Sequence, residues 1–358
     1  MLLPGNHSSG PADLPVSNRS AAAAGGGPGP EAVVVPVVFG LIFVVGVVGN
    51  CLVMVVIGRV RYSGGGAGGG VRGMRALSPT NIFVLNLSVA DLSFLIFCVP
   101  LHATIYSLPE WVFGGFLCKF GHFFTTVTML VSIFTLVAMS VDRYIAVVRS
   151  KDSACVRSRR NALGGLCVIW TLSVVCSVPV AQHQILTSHP NAPNSTFCWE
   201  NWSGPSRHSY KVSVLVLGYL LPLLLISCCY SKVLCHLHKK MKNMSKKSER
   251  SKRKTAQTVL LVITAFSLCW LPHHIIAMWV EFGSFPLTDT SFAFRIVSHC
   301  LSYGNSCVNP VLYAFLSENF RKACRQVFTC HLLPPPRGET LRLRMENFST
   351  TTHSTTNI

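Results

Sequence analysis

Seven long apolar runs divide the amino-acid sequence, and they constrain its fold more than any other feature. An α-helix needs about 20 mostly apolar residues to cross the hydrocarbon core of a bilayer. Only 12% of the residues are charged and 50% are hydrophobic, whereas soluble domains carry about 25% charged residues. The sequence therefore predicts an all-α membrane protein, a seven-transmembrane helix bundle. The runs lie at about 32–58, 80–106, 115–148, 162–183, 209–236, 256–281 and 289–316.

The third run shows how sharply such a run ends. Between Cys118 and Asp142 the only charged residue is Lys119, and Asp142-Arg143 closes the run. Cys118 and Arg143 are separated by about 38 Å at the helical rise per residue, which is a hydrocarbon core plus some interface. We expect a spanning helix with a cysteine at one rim and an acid–base pair at the other.

The formal net charge of +18 is distributed unevenly between the segments that connect the runs. The segments after runs one, three and five are basic, whereas acids lie in or at the edges of those after runs two, four and six, and the segment after run four carries two glycosylation sequons. Because Lys and Arg accumulate on the cytoplasmic side, the N-terminus is predicted outside the plasma membrane and the C-terminus in the cytoplasm. This placement favours contact with anionic lipid and argues against nucleic acid as a partner.

The parts outside the runs divide into tails and one short helix. Residues 1–31, rich in Gly, Ala, Pro and Ser, are expected to be a disordered extracellular tail before the membrane domain 32–316. A Gly-rich insert at 63–75 is expected to be a flexible part of the first cytoplasmic loop. Residues 317–328 fit an amphipathic helix on the cytoplasmic membrane surface, followed by a disordered tail at 329–358.

Sequons and cysteines support this topology. The sequons begin at Asn6, Asn18, Asn194 and Asn201, all in segments predicted to be extracellular. Of the 15 cysteines, only Cys118 and Cys198 fall at the oxidising outer face, so we predict a disulfide between them. Cys324 and Cys330 are candidates for palmitoylation, with free cytosolic thiols as the alternative.

Polar residues and prolines inside the runs point to function. A carboxylic acid in an apolar bundle needs partners, a proton or a cation, so Asp91 in run two is a functional hypothesis by default. Oxygen-rich neighbours would suit a hydrated Na⁺; a neutral, hydrogen-bonded structural acid is the alternative. No other metal and no cofactor is expected. Each of the five prolines at 100, 179, 222, 272 and 310 removes a helix hydrogen bond and permits a bend, as a two-state bundle requires.

An ordered set of motifs now identifies a resemblance. Asp142-Arg143-Tyr144 ends run three, Cys269-Trp270-Leu271-Pro272 lies in run six, and Asn309-Pro310-Val311-Leu312-Tyr313 ends run seven. Together with Asn50, Asp91, Trp170 and Pro222, one set per run, they resemble the rhodopsin-family (class A) G-protein-coupled receptors. Stretches such as CWLPHHII, EFGSFPLT and SCVNPVLYAFLSENFRKA are similar to the galanin receptors, those of type 1 in particular. The resemblance covers about residues 32–330, with somatostatin, kisspeptin and allatostatin receptors as alternatives.

The resemblance implies a receptor, not an enzyme, that binds galanin, couples to inhibitory Gi/o proteins and lowers cAMP. It also implies receptor kinases and arrestin as further partners. Arg143 is expected to pair with Asp142 at rest. The implied activation residues are Asp142, Arg143, Tyr144, Tyr230, Phe266, Trp270, Pro272, Asn309, Pro310 and Tyr313. The implied sodium pocket is Asp91, Ser132, Asn305 and Asn309. The implied peptide-binding residues are His273, His274, Glu281, Phe292, Arg295, His299 and Thr125.

Two positions depart from the type 1 pattern, and both are expected to face the ligand. Thr125 stands where the type 1 receptors have an aromatic residue, and Ala277 replaces a histidine. Ala277 also weakens a Zn²⁺ interpretation of His273-His274.

A transporter or channel would need repeated or interrupted spans, which the sequence lacks. An opsin would need a lysine where Tyr303 stands, and an aminergic receptor a carboxylate where Thr125 stands, so peptide binding is the stronger class.

Overall fold

The computed structural model describes residues 31–63, 77–108, 110–151, 153–189, 192–241, 246–286, 288–316 and 324–325. Each of the seven apolar runs forms one long helical span, numbered here in chain order. Two spans, the second and the fifth, are each divided into three parts. The spans are Glu31–Ser63, 79–107, Gly114–Val147, Arg159–His183, 205–241, Lys246–Phe282 and Asp289–Leu316.

The predicted fold class is confirmed by these helices. Span 6 begins ten residues earlier than its apolar run, because Lys, Ser and Glu continue a helix beyond the apolar part at little cost. Spans 2 and 4 begin at serine caps: the hydroxyl of Ser78 accepts from the backbone N–H of Asn81, and that of Ser158 accepts from Asn161. Within the described residues, spans 1 to 5 are long and apolar enough to cross a membrane.

The spans close into a ring with span 3 at its centre. Spans 1 and 2, 5 and 6, and 6 and 7 pack against one another, span 7 returns to span 1, and span 3 contacts spans 2, 4 and 5. Spans 4 and 5 are joined by the Tyr210 hydroxyl, which donates to the Cys176 carbonyl at 3.0 Å. The main core therefore lies around span 3, where Ile133 meets Leu87 of span 2, Ile226 of span 5 and Phe266 of span 6. A second core joins spans 1, 2 and 7 around Phe39, Leu95 and Tyr303.

The outside of the ring is apolar, unlike the surface of a soluble protein. Val48, Phe116, Val175 and Leu268 are each more than half exposed on the spans. A contiguous apolar exterior marks a membrane or protein contact, and its distribution around every span fits a surrounding bilayer.

Two π-helical segments interrupt the spans, and each precedes a proline by two residues. Phe94–Cys98 divides span 2 before Pro100, and Val216–Leu220 divides span 5 before Pro222. Proline lacks the N–H that would bond to the carbonyl four residues earlier. That carbonyl belongs to Ile96 in one case and Gly218 in the other, both inside the π segments. The helices therefore absorb the missing bond by widening one turn.

Span 1 approaches span 7 closely because it carries glycine at the contact. A Cβ at Gly49 would lie 2.9 Å from Cβ of Pro310, so a larger side chain would push the spans apart. At the next residue, the Asn50 amide donates to the backbone carbonyls of Gly46 and Ser306, both at 2.9 Å. Small residues and interhelical hydrogen bonds are the usual means by which helices associate in membranes.

A β-hairpin, absent from the sequence prediction, covers one end of the bundle. Strand β1, Gln184–His189, pairs antiparallel with strand β2, Ala192–Glu200. The predicted disulfide joins Cys118 of span 3 to Cys198 of β2, and the backbone N–H of Trp111 donates to the Thr196 carbonyl at 2.7 Å. This end is called the hairpin end, and the opposite one the Arg143 end.

Several predictions concern residues outside the described part of the chain. Most of the tails, the Gly-rich insert, Asn6, Asn18 and Cys330 lie there, as does the Tyr313 side chain. Of the predicted surface helix only residues 324 and 325 are described, and both are helical. Asn194 and Asn201 are exposed at the hairpin end and are therefore accessible for glycosylation. The glycosylation itself stays a prediction. Palmitoylation of the half-buried Cys324 is likewise untested.

Candidate functional site

A cavity of about 480 Å³ enters the bundle at the hairpin end and continues down to Asp91. Six of the seven residues predicted to bind a peptide line it, and the exception is Phe292, which packs against the core between spans 1, 2 and 7. Ala277, one of the two departures, also lines the cavity. The six lining residues are Thr125, His273, His274, Glu281, Arg295 and His299.

Aromatic and imidazole rings form a continuous wall of the cavity. The ring of His273 lies 6.0 Å from that of His299, which lies 5.8 Å from Tyr303. Tyr303 in turn lies 5.3 Å from His102, whose ring is 5.6 Å from His122. Such rings present flat apolar faces with isolated polar atoms, which is how small ligands and peptide anchors are usually held.

Three buried polar atoms at the cavity wall have no hydrogen-bond partner within the described residues. They are Nε1 of Trp270, Nε2 of His274 and Oγ of Ser298. The Trp270 indole N–H is a donor only, whereas the serine hydroxyl both donates and accepts. Because a buried unpaired polar group costs free energy, these atoms favour a ligand that brings polar groups as well as rings.

Charged residues surround the mouth of the cavity in one connected network. The side chain of Glu281 on span 6 is 1% exposed, with Oε1 2.6 Å from Nδ1 of His208 and Oε2 3.3 Å from Arg207. Glu200, at the end of β2, meets Arg207 at 3.2 Å and Lys211 at 2.8 Å. The network thus ties the hairpin to the ends of spans 5 and 6.

The Glu200 carboxylate is kept ionised by this network. Its burial alone would raise its pKa, but the positive charges and hydrogen bonds of Lys211 and Arg207 outweigh burial and lower the pKa below the ordinary value of 4.5. Glu200 therefore holds its negative charge at neutral and mildly acidic pH.

At the floor of the cavity, Asp91 is surrounded by hydrogen-bond donors. Ser132 and Ser306 donate to one carboxylate oxygen at 3.2 and 3.1 Å, and Asn309 donates to the other at 3.2 Å. Ser306 was not predicted, while Asn305 is buried and lines the cavity without a described bond to Asp91. One carboxylate with two hydroxyls and an amide offers only oxygen ligands, which suit a hard cation such as Na⁺. No cluster of three His, Cys, Asp or Glu side chains able to hold a metal occurs among the described residues.

Above Asp91, the predicted switch residues pack directly against the cavity wall. The ring of Trp270 lies 6.0 Å from His273, and Phe266 belongs to the main core below it. Tyr219, which no motif indicated, stands between the two groups, 5.0 Å from the His274 ring and 5.9 Å from Phe266. A change at either histidine therefore acts on the core through direct contacts.

At the Arg143 end, Asp142 is held by a residue that sequence reasoning missed. Nε of Arg157 lies 2.7 Å from Oδ1 of Asp142, and Thr80 donates to Oδ2 at 2.7 Å. Arg157 also reaches Thr80 at 3.1 Å, so the segment between spans 3 and 4 is fastened to spans 2 and 3. The predicted resting pair between Asp142 and Arg143 stays a prediction, since the contacts described for Asp142 are these two.

The remaining predicted switch residues are placed as follows. Tyr230 is buried in the main core, near Ser140 and Arg143. Lys232 lies 6.0 Å from the centre of the Tyr144 ring. Pro272 and Pro310 lie inside spans 6 and 7 without ending them.

Comparisons with known proteins agree with this architecture. The family "7 transmembrane receptor (rhodopsin family)" matches residues 49–313. The chain is 60% identical to the human galanin receptor type 1 over 308 residues, which covers 86% of this chain and 84% of the relative. It is 57% identical to the mouse type 1 receptor over 88% of this chain and 87% of that receptor. The human galanin receptor type 2 is 44% identical over 87% of this chain and 76% of its own length.

Proposed function

We propose that this chain, which belongs to the rhodopsin family of seven-transmembrane receptors and within it to the galanin receptors, binds galanin. We further propose that it signals through Gi/o proteins. The family membership makes it a multi-pass membrane receptor and not an enzyme. The observation that carries the choice of galanin is the 60% identity to the human type 1 receptor over most of both chains.

We place the hairpin end outside the cell. Exposed sequons at Asn194 and Asn201, and a disulfide, lie at this end, and disulfides persist in oxidising compartments. The basic segments follow spans 1, 3 and 5 at the other end, as expected of cytoplasmic loops. The cavity then opens to the extracellular side, where a peptide arrives.

The shape and chemistry of the cavity support a peptide ligand. Its ring wall suits aromatic side chains, and the unpaired atoms of Trp270, His274 and Ser298 suit backbone or hydroxyl groups. Thr125, whose hydroxyl donates to the Gly121 carbonyl at 2.8 Å, takes less space than an aromatic residue would. We propose that this leaves room for a side chain of the ligand beside span 3.

Activation is proposed to begin at the two adjacent histidines of span 6. A peptide that displaces His273 or His274 acts on Trp270, Tyr219 and Phe266 through the ring contacts already described. Repacking of this core changes how spans 5 and 6 pack on span 3, and a packed core switches between discrete arrangements rather than deforming smoothly. The Arg143 end then opens toward a G protein, with Arg143 and Tyr230 exposed to it.

Na⁺ is proposed to bind at Asp91 in the inactive arrangement. Asp91, Ser132, Ser306 and Asn309 would hold it, with Asn305 close enough to line the same cavity. A cation there supplies the counter-charge that a buried carboxylate requires. Na⁺ binding favours the inactive arrangement, in which the side chains around Asp91 leave room for the ion. Na⁺ and an activating peptide therefore lower each other's affinity.

The binding half of the proposal is tested with labelled galanin on membranes of cells that express the chain. We expect saturable binding that unlabelled galanin displaces. His274→Ala is expected to weaken binding by about tenfold or more, because it removes a buried ring that contacts both Tyr219 and Trp270. His238→Ala, at a histidine near the Arg143 end of span 5, is the matched control.

Absence of displaceable galanin binding, with surface expression demonstrated, would overturn the ligand assignment. Binding of a somatostatin, kisspeptin or allatostatin peptide in its place would transfer the receptor to that class. Equal losses of galanin affinity in His274→Ala and His238→Ala would show that the cavity is not the galanin-binding site.

A further inference from the structure

The carboxylate of Glu281, predicted to meet the ligand, is already fully engaged by span 5. Both of its oxygens are taken, one by His208 and the other by Arg207, and its side chain is almost completely buried. An ionised carboxylate only accepts hydrogen bonds, so Nδ1 of His208 is the donor across the 2.6 Å contact. Because the Glu281 side chain is buried against these two partners, a peptide amine must displace one of them to come within contact distance.

His208 differs from the other members of the network in how it carries charge. Its side chain is 46% exposed, so protons exchange freely with the solvent. Glu200 stays ionised down to mildly acidic pH because its pKa is lowered. Imidazole, in contrast, changes its charge between about pH 5 and 8.

The described side-chain contacts of His208 outside its own helix are both with span 6. Glu281 and the ring of Phe282, 5.2 Å away, approach from span 6. Arg207 and Lys211 lie on its own helix, and Glu200 of β2 reaches the network through these two cations. With a neutral His208 the four charged groups sum to zero; its protonation adds one positive charge beside the mouth of the cavity.

We propose that His208 is a positioning residue that holds Glu281 at the mouth of the cavity and makes peptide binding depend on extracellular pH. The inference rests on the proposed function, because it takes the hairpin end as extracellular and the ligand as a peptide, and it adds that this peptide presents an amino group to Glu281. A neutral His208 gives up Glu281 to that amine at the loss of one hydrogen bond. A protonated His208 holds Glu281 as an ion pair and repels the amine, so acid weakens binding.

The binding arm compares labelled galanin affinity at about pH 7.5 and about pH 5.5. We expect wild-type affinity to fall about fivefold on acidification, the factor that a partly exposed ion pair supports. His208→Asn places an amide donor near the position of Nδ1 without a titratable group, so whatever its affinity at the higher pH, that affinity should no longer fall on acidification. His208→Lys, a permanent cation, should bind weakly at both pH values.

His183→Asn is the matched control at the same end of the receptor. The His183 ring stacks on Trp202 at 3.9 Å and does not belong to the network. This variant should keep the wild-type pH dependence. Any titration of the peptide itself is common to all four receptors and cancels in the comparison.

A ligand-free arm separates this inference from the galanin assignment. A histidine that gains an ionic partner on folding stabilises the fold most where it is protonated. The melting temperature of the purified wild-type receptor should therefore exceed that of His208→Asn by more at about pH 5.5 than at about pH 7.5. In a Glu281→Gln background the difference between His and Asn at 208 should no longer change with pH.

The two arms fail in different ways. If galanin does not bind the wild type at either pH, the ligand assignment is overturned, while the melting data still decide whether the pair senses protons. If galanin binds and His208→Asn keeps the full pH dependence, His208 is not the positioning residue. If the melting temperatures of the wild type and His208→Asn differ by the same amount at both pH values, the His208–Glu281 pair does not sense protons.

Discussion

Two buried aspartates, Asp91 and Asp142, show how the surroundings of a residue decide its task. Among the described residues, the hydrogen-bond donors to Asp91 are all neutral, so its charge calls for a proton or a cation from outside the chain. Asp142 has its counter-charge within the chain, in Arg157. One site is therefore suited to sensing a mobile ion, and the other to holding a loop in place.

Asp91→Asn should abolish the effect of Na⁺ on agonist binding. In the wild type we expect Na⁺ to weaken galanin affinity by about fivefold or more, a common size for coupling between two sites. Competition binding in sodium and in an equal concentration of a large organic cation measures the effect. Ser306→Ala should reduce it, while Ser177→Ala, which removes a buried hydroxyl of span 4 that donates to the Ser173 carbonyl, should not. Undiminished sodium dependence in Asp91→Asn would exclude this pocket.

Arg157→Gln should lower the stability of the receptor by about 1 kcal/mol, since it leaves the buried Asp142 without its cation while Arg157 itself is partly exposed. That corresponds to a melting temperature lower by roughly 2–4 °C. Arg159→Gln, at an exposed arginine two residues along, should change little. In combination with Asp142→Asn the loss should be less than additive. Additive losses of stability, or equal melting temperatures of the two arginine variants, would contradict a stabilising role of the Arg157–Asp142 ion pair.

At the residue scale, the free-energy cost of a polar group inside the membrane predicts which polar side chains are functional. It does not predict which residues they bond to. Asp91 was identified because a polar group in an apolar run is expensive, and Ser132 and Asn309 were identified through the family resemblance. Ser306, Arg157 and His208 lie outside the motifs, and their roles follow from which spans are neighbours in the ring. A single sequence gives no measure of that adjacency.

At the scale of elements, the helices were predictable and their irregularities were not. Apolar length fixed the spans to within a few residues for most of them. Prolines predicted bends at five positions, yet only Pro100 and Pro222 follow π segments, while Pro272 and Pro310 lie inside continuous α-helices. The difference depends on which neighbours accept the freed carbonyl, a property of packing. The hairpin was missed because its short strands lie in a segment with several turn formers and no clear alternation.

The hairpin depends on its disulfide for its position over the cavity. Cys118→Ala should reduce displaceable galanin binding at the cell surface by about tenfold or more, because β2 carries Glu200 to the network at the cavity mouth and disulfide loss is costly. The double variant Cys118→Ala/Cys198→Ala should match it. Cys51→Ala, an exposed cysteine of span 1, should bind normally. Wild-type surface expression and binding in the double variant would show that the other contacts suffice.

At the scale of the whole molecule, the bundle links a cavity at one end to an arginine at the other through one packed core. The ordered motifs predicted this architecture, and the helices and the family comparisons confirm it. The choice of galanin and of Gi/o stays a proposal, since ligand and G protein are selected by surfaces that differ among receptors of one fold.

The most direct test of the account measures cAMP in cells that express the intact chain. Galanin should lower forskolin-raised cAMP in a dose-dependent manner, and pertussis toxin, which blocks Gi/o, should abolish the response. His274→Ala should shift the dose–response curve to higher galanin concentrations by about tenfold. An unchanged cAMP level at saturating galanin, with the receptor demonstrated at the cell surface, would contradict the central claim.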